Sequence, residues 1–441
     1  MTRILATIGP NLKNEYQLRY FIQRCNIVRL NLSHGEFDWH IETIKKIKKI
    51  DPDKLILVDI PGIKPRTVNN QTIEIKKDQV VTFSYKTIHY KNSVPLSNPL
   101  PKINNEVCLF TISDGQYFFR LKKFGKNYIT GISNQSFSLK PKKGLNIPGS
   151  LYNDKVQEQI YIKYFKMIKD LPVDCVGLSF IQNKEILIRL RKRFPKFFFV
   201  SKIENLLGFK NRKAIIENSD IVMIDRGDLA AETGLNNLTS YTNQIIEDCK
   251  DSSVPIIVAT ENLNSLINEA QPTKSEVFNL DYFIEKNVDY IMLSDETATS
   301  IRWKNTLNWL NEYLLVKKNY PAIQYNISID KIISQLELVN LIIFTKEGYF
   351  YDKVSKFRNI KNFFIFTENI DLLNKLRINS KITAFYSKFP KTNIDQFLYR
   401  NIKKNKKIIF NSDESCLLVN IIFPRPESRA NSLSIVYKKD F

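Results

Sequence analysis

Lys202 and Glu204 close an apolar run, KFFFVSKIEN, two residues apart. In a strand, positions two apart share a face, so one side carries an ammonium and a carboxylate together. Holding both away from water costs free energy unless each is satisfied. One reading is a surface ion pair; the other is a site that needs a fixed positive charge beside a metal ligand. A second carboxylate, Asp228, follows another apolar run, DIVMIDRGD. Glu204 and Asp228 could share one hard divalent cation, leaving other positions to water and substrate oxygens. Lys202, Arg29 and Arg66 could surround a phosphoryl group whose charge spreads in the transition state. In DRGDLAAE a glycine, Gly227, stands at the start of a helix, where free N–H groups would receive a carboxylate. A carboxylate, a phosphoryl group and magnesium together describe a phosphorylated carboxylic acid.

Positioning such groups requires strands that all end at one rim. RILATIGP, NIVRLNLSHG and KLILVDIPG read as strands, separated by Leu18, Phe21, Ile22 and Cys25, then by Ile41, Ile44, Ile47 and Ile50, at helical spacing. VDCVGLSF, FFFVSKIEN, DIVMIDRG, VPIIVAT and DYIMLSDETA add five more strands, with amphipathic stretches between them. About eight βα units predict a closed (β/α)8 TIM barrel, with an open doubly wound sheet as the alternative. Polar residues gather at the strand ends: Arg29, Asn31 and Ser33; Asp59; Lys202 and Glu204; Arg226 and Asp228; Thr260; Ser294 and Glu296. That convergence is the strongest signal in the chain, because barrel chemistry sits at the carboxyl ends of the strands.

From Val68 the helical period disappears, and QTIEIKKDQVVTFSY, EVCLFTISDGQYFFRL and KNYITGISNQSFSL read as short strands with turns. The expected organisation is therefore a barrel over 1–67 and 141–322, an inserted all-β lid domain after the third strand over 68–140, and a C-terminal α/β domain over 330–441. The polar segment KNYPAIQYNISID would link the last two.

Composition narrows the chemistry. The 441 residues are 43% apolar, with no run reaching the ~18 residues of a membrane span, and MTRILATIGP lacks the layout of a secretory signal. Five scattered cysteines without a CxxC pair fit reduced thiols of a cytoplasmic protein. With only three histidines, any metal must be hard and carboxylate-bound. The net charge of +21 is spread along the chain, densest in NIKKNKK, and is expected to mean solvated faces that favour small anionic substrates, with no nucleic-acid or membrane partner. Glycine is scarce at thirteen residues, and most of these fall at strand ends or in the β insert. Positions needing close backbone approach account for such placement.

The segments TRILATIGP, VRLNLSHG, DIPGIKPRT, SDGQ, KKGLNIPG, LSFI, SKIEN, RGDLAAE, IIVATENLNSLI, QPTKSEV and MLSDETA, in this order, resemble the pyruvate kinase family over nearly the whole chain. The resemblance implies a barrel interrupted by a β lid, and transfer of a phosphoryl group from phosphoenolpyruvate to ADP, giving pyruvate and ATP. It implies that Lys202 stabilises the transferring group and that Glu204 and Asp228 hold Mg2+ or Mn2+. Arg29 and Arg66 would bind phosphates. The backbone of Arg226, Gly227 and Asp228 would take the substrate carboxylate beside Thr260, while Ser294 and Glu296 would serve a water relay to the enolate. Asp114, Lys143 and His34, with Arg66, would contact the nucleotide. Asn31, Ser33 and Asp59 match the family's monovalent-cation pocket. Lys64 stands where potassium-dependent members carry glutamate, and Ile60 where they carry threonine, so an ammonium would replace K+. A cytoplasmic homotetramer completes the implication.

Departures from the family pattern are Asp225 for a small residue, GDLAA with a lost glycine, ATENL, Asp295, and Pro65 before Arg66. They leave open an alternative: a scaffold that binds phosphoenolpyruvate with weakened catalysis. In FTKEGYFYDKVSKFR, Thr345, Lys346 and Gly348 remain from the family's effector loop. The serine- and arginine-rich character of a sugar-bisphosphate site is missing, so control by fructose bisphosphate is not expected.

Overall fold

The computed structural model describes residues 2–86, 93–103, 107–318, 339–346, 348, 360–411, 414–420 and 432–441. Eight parallel strands close into a barrel: β1 (Arg3–Thr7), β2 (Ile27–Asn31), β3 (Leu55–Ile60), β4 (Cys175–Leu178), β5 (Phe198–Ile203), β6 (Ile221–Asp225), β7 (Ile256–Ala259) and β8 (Tyr290–Leu293). Each strand pairs with its neighbours in sequence, and β8 returns to β1. The open sheet is thereby excluded. The strands read as near-continuous apolar runs because both faces are covered, one by the barrel interior and one by helices.

The helical spacing noted after β1 becomes the helix Glu15–Gln23, which buries Leu18, Phe21 and Ile22 and is capped by the Asn14 side chain on the Gln17 N–H. The spacing after β2 becomes Phe37–Ile50, burying Ile44 and Ile47. Such caps and stripes set where each helix starts and how it lies on the sheet. Strand register then places the polar ends side by side: Thr7 opposite Arg29, Asn31 opposite Asp59, and Asp225 opposite Ala259.

Between β3 and β4 the lid forms a six-stranded sheet and a two-stranded sheet, Ile73–Ile75 with Phe137–Leu139. Its core includes Phe83, Phe110 and Phe119, with the last two rings stacked at 5.1 Å. The sheet also takes the short strand Leu145–Asn146, which pairs with Ile112 and Thr111, so lid structure extends past residue 140. A two-residue strand carries no periodicity for sequence reading to detect.

Ile4–Asn311 form one compact unit. Glu312–Phe441, with residues 1–3, form a second, whose five-stranded sheet runs Ile382–Tyr386, Asn362–Thr367, Asn340–Phe344, Ser415–Asn420 and Ser432–Tyr437. Only the last pairing is antiparallel. The expected linker from 319 onward, the segment YDKVSKF, and most of the effector loop lie outside the described residues. Among the described residues no helix is long and apolar enough to cross a membrane.

Candidate active site

The carboxyl ends of the barrel strands converge on Lys202. Its ammonium, on a side chain 6% exposed, lies 2.8 Å from Glu204 Oε1 and 3.4 Å from each of Asp59 Oδ2 and Asp225 Oδ2. Burial works against the charge, yet Asp59, Glu204 and Asp225 outweigh it and hold the lysine protonated well above its ordinary range. Arg29 reaches the same Asp59 through Nε (3.0 Å) and Nη2 (2.7 Å), while its Nη1 donates to Thr7 Oγ1 at 2.9 Å. Burial pushes Asp59 up; Lys202 and Arg29 more than reverse it, so the carboxyl is depressed and ionised. Two cations are thus fixed at the rim by one buried anion, which is how a phosphoryl site is held ready without solvent reorganisation.

Beside this pair, the ligand oxygens of Glu204, Asp225 and Asp228 lie within 4.8 Å of one another. Glu204 is fully buried: its Oε2 accepts the Phe180 N–H at 2.5 Å, whereas Oε1 accepts no hydrogen bond and meets Lys202 only as an ion pair. Burial lifts the Glu204 carboxyl to about 8, with Lys202 opposing and Asp225 and Asp228 adding to the rise. Asp228 is likewise raised by burial. Two buried carboxylates that resist ionisation, Glu204 and Asp228, in a cluster of hard oxygen donors fit a divalent cation such as Mg2+ or Mn2+.

Lys64 corrects an expectation. Its ammonium does not join Asn31, Ser33 and Asp59; it pairs with Asp114 at 2.8 Å and makes a close contact to Asp228. The reason is geometric. The Lys64 stem crosses Gly144, where an added Cβ would fall 2.3 Å from Cε, and so runs toward the lid. Asp59 is already matched by Arg29 and Lys202, and Asn31 Oδ1 is taken by the Ser33 N–H at 3.0 Å. The Lys64 charge in turn holds Asp114 below the usual carboxylate range. Asp114 sits on a lid turn with φ of 59°, 53° and 87° at Ser113, Asp114 and Gly115. Asp114 and Gly115 are of the types that tolerate such φ values, while Ser113 is held there against its preference.

The other expected residues divide. Thr260 Oγ1 accepts the Gly227 N–H at 3.1 Å, joining the end of β7 to the helix Arg226–Thr233 that follows β6. The Arg226 side chain turns away from this point: it donates to Ala259 O, Asn279 Oδ1, Asn262 Oδ1 and, closely, Thr260 O. It staples the β7 end in place, and only its backbone faces the rim. Glu296 is buried and accepts N–H groups from Ser294 (2.7 Å) and Leu263 (3.3 Å), tying the segments after β7 and β8 together. Arg66 is half-buried, donating to Lys142 O at 3.3 Å. His34 is exposed at the same edge; partial burial, then the Arg66 charge, lowers its imidazole. Lys143 adds its charge to the field around Asp114.

Sequence reasoning missed four participants. Asp225, in the sequence only a departure from the family pattern, is part of the carboxylate cluster. Phe180 is buried at φ 61°, a conformation bulky residues rarely hold, and this aims its N–H at Glu204. Asn146 donates to Asp228 (3.2 Å) and to Glu232 (2.9 Å). Glu232 itself, 1% exposed and also near Tyr152 OH at 3.4 Å, is lifted by burial to about 8. The charged final residue of RGDLAAE was the signal available for it.

Glu232 has a pH consequence. Its carboxyl is raised in the fold and ordinary in the unfolded chain, so its stability contribution is complete below the ordinary carboxylate pKa and drains away as pH climbs to about 8. Glu232→Gln keeps an acceptor for Asn146 and Tyr152. Its thermal midpoint is expected to gain on the parent from about pH 5 to about pH 8, then to keep a constant lead. A lead that is flat across the whole range would show that Glu232 ionises normally.

Comparison with known proteins supplies the family. The barrel-domain pattern of pyruvate kinase matches residues 1–302. The chain belongs to the pyruvate kinase family. The pyruvate kinase of Clostridium perfringens is 30% identical over 318 residues, covering 68% of this chain and 66% of that protein. That of Thermococcus litoralis is 29% identical over 313 residues, and the match spans 65% of its length, slightly under two thirds. The pyruvate kinase of Methanocaldococcus jannaschii aligns over 428 residues at 27% identity, covering 95% of this chain and 88% of that one. In three dimensions, the crystal structure of pyruvate kinase from Pyrobaculum aerophilum aligns with a TM-score of 0.75 at 20% identity, over 99% of this chain and 98% of that chain. The shared fold is that of pyruvate kinase: a closed barrel with lid and C-terminal domains.

Proposed function

We propose that this chain is an active pyruvate kinase, moving the phosphoryl group of phosphoenolpyruvate to ADP. The observation that carries the reading is the buried Lys202 ammonium, held between Asp59, Glu204 and Asp225 at the barrel rim with Arg29 beside it. In this reading Lys202 and Arg29 grip the phosphoryl oxygens, where charge develops during transfer. The N–H groups at Gly227 and Asp228, with the Thr260 hydroxyl, take the substrate carboxylate. Glu204 and Asp228 would hold Mg2+ or Mn2+, which supplies neutralisation of the phosphoryl and enolate oxygens when bound. Ser294 and Glu296 fix the segment from which the enolate receives its proton. Arg66, His34, Lys143 and Asp114 face the nucleotide. A coupled assay for pyruvate, with and without Mg2+, tests this; no Mg2+-dependent product would leave the weakened scaffold as the reading.

Potassium independence is part of the proposal. The charge of Asp59 is balanced by Arg29 and Lys202 without an ion, and the Lys64 ammonium is set against Asp114 and Asp228. Turnover is expected to stay within about twofold when K+ is exchanged for tetramethylammonium, since Arg29 and Lys202 already balance the carboxylate of that pocket. Strict dependence on K+ would refute it. The same reading carries a homotetramer in the cytoplasm, with light scattering as the check on assembly.

A further inference from the structure

Three carboxylates occupy a place where two suffice to anchor a hard cation. Asp225 ends β6 at 8% exposure, directly before the helix Arg226–Thr233, and makes no side-chain capping bond to that helix. Its Oδ2 is 3.4 Å from Lys202 Nζ, an ammonium that already has Glu204 at 2.8 Å and Asp59 at 3.4 Å. Its carboxylate is therefore not a cap, and at Lys202 it is one counter-ion among three. What remains is its place among the Glu204 and Asp228 oxygens, all within 4.8 Å of one another. That separation is about twice the ~2.0–2.6 Å at which oxygens bind hard divalent cations, so one ion can touch all three.

Charge leads the same way. Around Lys202 itself three carboxylates, Asp59, Glu204 and Asp225, meet one ammonium, while Arg29 pairs with Asp59. An anionic substrate approaching this cluster meets repulsion until a cation is seated.

We propose that Asp225 is a third carboxylate ligand of the divalent centre. This rests on the metal reading of Glu204 and Asp228. Substrate-free protein would be titrated with Mn2+ and the free ion followed by electron paramagnetic resonance, comparing the parent, Asp225→Asn and Glu204→Gln. The parent is expected to bind one Mn2+ per chain, and Asp225→Asn to bind it about 10- to 100-fold more weakly, the range for losing a charged ligand or its close support. If Glu204→Gln weakens binding while Asp225→Asn matches the parent, Asp225 serves Lys202 alone and the inference is overturned. If the parent binds no Mn2+, or Glu204→Gln binds like the parent, the metal reading fails and takes the inference with it. Asp225→Ser, checked by circular dichroism, replaces the Asn variant should that one not fold.

Discussion

Lys202→Met is expected to fold and to lose about a thousandfold or more of kcat, with the KM for phosphoenolpyruvate moving far less. The ammonium is dry, protonated, and fixed by three carboxylates, so its position is set before substrate binds. A preorganised cation of this kind acts where charge grows in the transition state, and losing one such group costs about 10²–10³ or more. Methionine fills the volume without the charge. Lys202→Arg is not a rescue, because a planar fork cannot replace a point charge among three converging oxygens. Steady-state kinetics with Mg2+ saturating decide the matter. A loss smaller than about tenfold would remove the ammonium from the chemistry.

Lys64→Met is expected to destabilise the metal-free protein by up to about 3 kcal/mol, since removing one partner of a buried pair strands the other. Lys64 is 3% exposed and Asp228 13%, so water does little to soften the loss. The deficit should shrink when Mg2+ or Mn2+ is added, because a divalent ion supplies Asp228 with the positive charge that the lysine took away. The measurement is the thermal unfolding midpoint of variant and parent, each with and without metal. An equal deficit in both conditions would mean that Lys64 and the cation do not share Asp228.

The barrel was legible because its strands are apolar throughout and end in polar residues at regular intervals. Arg29, Asp59, Lys202 and Glu204 stand out through that pattern alone, and the structure links them in a chain of ion pairs from Arg29 to Asp59 to Lys202 to Glu204. What escaped was decided by long-range closure. Lys64 meets Asp114 fifty positions later and Asp228 a further stretch beyond, at a separation of 164. Nothing local in DIPGIKPRT announces either partner. Arg226 misleads by adjacency: it neighbours Gly227 and Asp228, yet its guanidinium is spent on the carbonyls at the end of β7. Phe180 misleads by type, since phenylalanine carries no preference for a positive φ. The surrounding packing, the Glu204 carboxylate that takes its N–H and the Gln157 amide that donates to its carbonyl hold it there.

One side chain is gripped at once by the lid turn and by the barrel rim. Because Lys64 touches both Asp114 and Asp228, whatever seats itself at Asp228 changes the hold on the lid. Thermodynamic reciprocity then demands the converse, that the posture of the lid alter affinity at Asp228 by the same factor. Cap and rim of this cleft are thus two ends of a single lever, with its fulcrum at one ammonium.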